Sequence, residues 1–160
     1  MATPRWIPKA TARDEANLGR AAIVPPERTP GSSLEVIVLH TTTEGTLQAL
    51  KTAAGLAQGL AARIRLLVPQ VVPYPRPLTS PPISRDFTAR RFRTLVSGAA
   101  IETHIDVRLC RDQWEMLESA LRPKSLVVLG ARRRWWPTAE SRLVERLRHL
   151  GHQVIFSSLA

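Results

Sequence analysis

The residues with the most chemical potential follow an apolar run late in the chain: Gly130, Ala131, Arg132, Arg133, Arg134, Trp135 and Trp136. Guanidinium groups grip anions through paired N–H donors, and indole faces stack on a base or sit at a lipid interface. The plainer alternative is a solvated turn whose tryptophans cover the end of a sheet and carry arginine stems over their rings. His40 directly follows an apolar run and is expected to be a hydrogen-bonded interior histidine. His104, His149 and His152 fall on different elements, so no metal centre is expected. Cys110 is the single cysteine, which excludes an internal disulfide and a cysteine-based metal site. A Walker lysine loop, a dinucleotide glycine fingerprint and a nucleophile elbow are all missing from the sequence. No catalytic residue is assigned, and the chain is expected not to be an enzyme.

These groups need a frame. Leu34 to Leu39 is a short β-branched run, the mark of a strand covered on both faces. Thr42 to Gly45 then supplies polar turn and cap chemistry, and from Thr46 the period becomes helical, with Leu47, Leu50, Ala54, Ala57 and Ala61 on one stripe. The small residues Ala53, Gly55 and Gly59 would let a neighbour approach closely. Ile64 to Val68 is the second strand. Pro69 to Pro82 then holds six prolines in fourteen positions and predicts a stiff surface loop. A helix from Ser84 or Arg85 to Ala99 should turn Phe92, Leu95, Val96 and Ala99 inward, with Arg90, Arg91 and Arg93 outward. From Ile101 to Leu109 apolar and polar residues alternate, as in a half-exposed edge strand.

The second half repeats the pattern. Asp112 should cap a helix presenting Trp114, Leu117 and Leu121 and ending before Pro123. Ser125 to Leu129 is another apolar strand, closed by Gly130. Thr138 should cap a helix burying Leu143, Val144, Leu147 and Leu150, with Gly151 at its end. Gln153 to Ser157 is the last strand. Five strands alternating with four helices predict an α/β, doubly wound (Rossmann-like) parallel sheet of order 3-2-1-4-5, with helices on both faces.

The formal net charge is +10. Of 23 basic residues only Lys9, Lys51 and Lys124 are lysine, a bias that GC-rich coding produces without any selected partner. The charge is spread over several elements, so neither nucleic acid nor membrane is the expected partner, although a basic module on either is the alternative. No apolar run approaches membrane-spanning length, and a cytoplasmic location is expected. Residues 1–33 contain five prolines and little periodicity, and are expected to be an extended, flexible N-terminal tail to a domain over 34–160.

Three patterns together resemble the universal stress protein family: the strand running into Thr42 to Leu50 with its alanine-rich helix, the strand containing Ile105 to Arg108, and Leu126 to Gly130 followed by Val144 to His149 and Val154 to Phe156. The resemblance covers about residues 34–158 and implies a non-catalytic binding or regulatory domain. ATP-binding members carry an aspartate after the first strand. After the fourth they carry glycine, two residues, glycine, nine residues, then Gly-Ser or Gly-Thr. Aligned here, Thr41 replaces the aspartate, Gly130 keeps the first glycine, Arg133 replaces the second, and Glu140 and Ser141 stand at the last pair. Pro69 falls near the adenine-pocket valine. Arg133 resists a positive φ and fills space left for phosphate, so ATP or AMP in the family's manner is not expected and no cofactor is assigned. The candidate cleft is Thr41, Thr42, Gly130, Arg132, Arg133 and Ser141. A sensor of nucleotides or other small anions through Arg132 to Arg134 is the alternative. The resemblance also implies a homodimer paired through the edge at Val154 to Phe156.

Overall fold

The computed structural model describes residues 34–98, 102–132 and 138–159. Along the chain these form β1 (Glu35–Leu39), α1 (Thr43–Leu60), β2 (Arg63–Val71), α2 (Arg85–Gly98), β3 (His104–Cys110), α3 (Gln113–Ala120), β4 (Leu126–Arg132), α4 (Ala139–His149) and β5 (Gln153–Leu159). The strands make one sheet of order β3-β2-β1-β4-β5, and every neighbouring pair is parallel. The expected strand order and doubly wound architecture are those observed. Parallel neighbours require long crossovers, and each crossover carries a helix that covers a sheet face.

Alternation within the central strands divides the core. Val36, Val38, Leu66, Val68 and Val128 point to the side covered by α1 and α2. Ile37, Leu39, Leu67, Val127 and Leu129 point to the side covered by α3 and α4. Because both faces of β1 are covered, it reads as an unbroken apolar run.

Local signals set the helix ends as expected in three places. Thr42 accepts from the Gly45 amide at 3.1 Å, Asp112 from Trp114 and Glu115 at 2.6 and 3.1 Å, and Thr138 from Ser141 at 3.2 Å. Each satisfies amides that the first helical turn leaves without partners. Gly151 ends the last helix region with a φ of 85°, which suits glycine.

Several expectations need correction. The buried stripe of α1 is Thr46, Ala49, Leu50, Ala53 and Ala57, about one position off the stripe through Leu47, Ala54 and Ala61. Bulk misled the reading here: the helix lies close to the sheet, so alanines fit inside and Leu47 stays at the margin. Ala61 leaves the helix altogether as its left-handed cap, with φ 51°. Gly55 and Gly59 face open space and mediate no close approach. Leu150 is exposed, because α4 ends before its side chain reaches the sheet. Pro69 lies inside β2, not in the loop.

The edge position of β3 is as expected, but its alternation is broken by a buried acid. Asp106 accepts from Arg108 Nε at 2.9 Å and pairs with Arg65 at 3.4 Å. Arg65 also donates to the Ala120 carbonyl at 3.2 Å, at the C-terminus of α3. A cation there complements the helix dipole, which no basic residue in α3's own last turn does. Paired arginines on two strands are what let a carboxylate stay inside.

Candidate functional site

In an open parallel sheet, ligands bind beyond the carboxyl ends of the strands, where the strand order reverses. Here that place is the ends of β1 and β4, which lead into α1 and toward α4. Thr41, Thr42, Gly130 and Arg132 are brought together there around the first turn of α1.

The contact between α1 and β4 is as close as backbones come. The Thr41 hydroxyl donates to the Gly130 carbonyl at 2.6 Å. A Cβ on Gly45 would collide with that same carbonyl, and a Cβ on Gly130 would collide with the carbonyl of Gly45. Both glycines are therefore required by approach, not by turn geometry. This corrects the expectation that Gly130 closes the strand. β4 continues through Ala131 to Arg132, with Gly130 in register with Ser157, Ala131 with Ser158 and Arg132 with Leu159. Gly45 had given no signal in the sequence beyond turn chemistry; a second glycine one turn into a helix, facing a strand glycine, is the pattern that would have found it.

The charged members pair with one another. Arg132 donates to Glu44 at 2.8 Å, a bridge whose two side chains are 70% and 61% exposed. Thr42 is occupied as the cap of α1. Ser141 is elsewhere. It lies in the first turn of α4, donates to the Thr138 carbonyl at 2.8 Å, and lines an open groove of about 690 Å³ with Val144, Glu145, Arg148, His149 and Phe156. No hydrogen bond joins it to Thr41, Thr42 or Gly130 among the described residues. Arg133, Arg134, Trp135 and Trp136 lie outside the described residues.

His40 completes the picture on the α1 and α2 side. Its amide donates to the Leu67 carbonyl at 2.9 Å, and its Nδ1 lies 2.7 Å from the Thr46 hydroxyl. Its ring meets Phe92 edge to face, with centroids 4.7 Å apart. Burial, and then the positive charge of Arg91, hold its pKa below the usual histidine value, so the ring is neutral at pH 7. The expected interior, hydrogen-bonded role is the one seen. Cys110 is buried, and burial followed by the nearby Asp112 carboxylate pushes its thiol pKa upward, which disfavours the thiolate. No group of three or more histidine, cysteine or acidic side chains among the described residues could hold a metal.

No protein-family profile matches the sequence, and no curated protein does. Solved structures do match. A universal stress protein from Archaeoglobus fulgidus superposes with a TM-score of 0.52 at 9% identity, over 77% of this chain and 92% of that one. The fold is that of a universal stress protein. A universal stress protein family member from Burkholderia pseudomallei is 19% identical over 79% of this chain and 98% of its own, with a TM-score of 0.47. A universal stress protein in complex with cAMP is 12% identical over 80% and 100% of the two chains, with a TM-score of 0.45. At these identities the likeness is one of fold.

Proposed function

We propose that residues 34–160 form a non-catalytic universal-stress-type domain that acts by binding, and that it does not take ATP in the family's usual manner. The observation that carries this reading is the seam of Thr41, Gly45 and Gly130. A phosphate cradle needs free backbone amides beside small residues. Gly130 instead lies within a strand, its carbonyl accepts from Thr41, and its Cα face is filled by Gly45. The arginine-sensor alternative meets Glu44 beside Arg132, a carboxylate that an incoming anion would have to displace.

Thermal melting with ATP, ADP and AMP at millimolar concentration tests the reading. An unchanged Tm is the expected result. A rise of several degrees, which mass action produces for any ligand well above its Kd, would overturn it. For the partner, β5 supports self-association: it is a sheet edge with half-buried Val154, Ile155 and Phe156. Sedimentation should then give twice the chain mass, and a monomer at high micromolar concentration would remove the dimer from the proposal.

A further inference from the structure

Four of the eight large apolar side chains that stand exposed among the described residues fall between Tyr74 and Phe87, in the loop after β2 and the first turn of α2. Tyr74 is 80% exposed, Ile83 53% and Phe87 60%. A scatter of single exposed apolar residues needs no explanation, but this concentration in one loop and the helix it enters does. Arg111 fixes the loop from the neighbouring strand end. It donates to the carbonyls of Val72 and Arg76 at 2.7 and 2.6 Å and covers one face of the Tyr74 ring at 4.1 Å. The apolar side chains are thus presented by a tethered loop.

The charge of the same region is one-sided. Arg76, Arg85, Arg90, Arg91 and Arg93 are all exposed, with Asp86 the sole acid from Val71 to Gly98. None of these arginines makes an ion pair among the described residues, whereas Arg65, Arg108, Arg132 and Arg146 all do. Helical spacing joins the two kinds of residue. Ser84 caps α2, accepting from Phe87 at 3.2 Å, so Ile83, Phe87, Arg90 and Thr94 follow one another along the outer face at steps of four, three and four. Phe92 and Val96 hold the opposite face on the sheet.

We propose that this outer face of α2, with the loop before it, docks on an anionic lipid surface. Arginines beside aromatic rings suit phosphates of several origins, but aliphatic Leu78 and Ile83 decide between them. A nucleic acid rewards stacking, which an aliphatic side chain cannot supply, whereas the boundary of a bilayer takes up aliphatic and aromatic side chains alike while headgroup phosphates meet the arginines. The sequence hid this surface because its charge is diluted over the whole chain. The fold sets five of the exposed arginines that make no ion pair on one loop and helix, beside the exposed apolar side chains. The inference is independent of the ligand cleft.

Sedimentation of the full chain with vesicles of phosphatidylcholine, alone or with 30% phosphatidylglycerol, tests it. Binding to the anionic vesicles only, weakening as salt rises, is expected. Arg90→Gln/Arg91→Gln/Arg93→Gln should reduce partitioning at least tenfold, and Ile83→Ser/Phe87→Ser several-fold. Arg63→Gln/Arg122→Gln/Arg142→Gln, which removes the same charge from other surfaces, should leave it within twofold. All six arginines and both apolar residues are exposed, and an unchanged Tm verifies the fold of each variant. Failure to bind anionic vesicles at low salt overturns the proposal, as does equal loss in the control triple, which would reduce it to bulk charge. A serine double variant that binds vesicles like the parent, with duplex DNA held as tightly, also overturns it in favour of a nucleic-acid surface.

Discussion

The seam between α1 and β4 and the outer flank of α2 lie on the same side of the sheet, yet they are built in opposite ways. At the seam, two glycines face each other, a threonine hydroxyl is spent on a strand carbonyl, and the nearby arginine is paired with Glu44. On the flank, aromatic and aliphatic side chains stand in water beside arginines that make no ion pair among the described residues. At the place where this fold ordinarily receives a ligand, Thr41, Thr42 and Arg132 each have a partner within the domain. Unsatisfied chemistry has collected about a helix away, on side chains instead of backbone. Interaction potential in a scaffold therefore need not stay where the topology creates it.

The comparison breaks most readily at the seam. Gly130→Ala should cost about 3 kcal/mol, because its methyl group would meet the Gly45 carbonyl and neither backbone can retreat without disturbing the sheet. Chemical denaturation measures this, and a loss under about 1 kcal/mol would mean that the seam is loose. Arg111→Ala should cost about 1 kcal/mol in stability and, more tellingly, raise the rate of proteolytic nicking in the loop of residues 73–82, since two carbonyls lose their donor. Unchanged nicking would show that the loop holds its shape alone.

His40 sits where the two regions meet, touching Thr46 of α1 and Phe92 of α2, with Arg91 on the flank nearby. Its folded pKa is depressed, so its contribution to stability is present above the ordinary histidine value and is lost as the pH falls through the folded one. The Tm should thus drop by a few degrees between pH 7 and pH 5, and the part due to this ring should vanish in His40→Gln. Arg91→Gln should shrink the drop, because it removes the second cause of the shift. The smallest effect belongs to the exposed bridge. Arg132→Gln should change stability by less than about 0.5 kcal/mol, and less still in high salt.

Much of the frame was legible. Strand order followed from the alternation of short apolar runs with helical stretches, and caps at Thr42, Asp112 and Thr138 announced themselves by side-chain type. Which alanines of α1 face inward was not legible, since a helix made of small residues has a weak apolar contrast and the sheet selects the face. Gly130 was visible as an important glycine but assigned the wrong reason. A glycine needed for positive φ and one needed for close approach look identical until the partner, Gly45, is placed opposite. Asp106 was taken for a solvent-facing residue because the arginine that lets it stay buried, Arg65, is 41 positions away. Ser141 matched a motif position by count, while the groove it lines depends on where α4 turns.

β1 enters the sheet at Glu35, and β5 leaves it at Leu159. With every strand parallel, those two points lie at opposite ends of the strand direction. A tension applied between them runs along the strands and loads the β1–β4 and β4–β5 ladders lengthwise. Their hydrogen bonds would have to yield together, not open one after another like a zip. Under such a load the domain's lifetime would be set by its unfolding rate and not by its equilibrium stability.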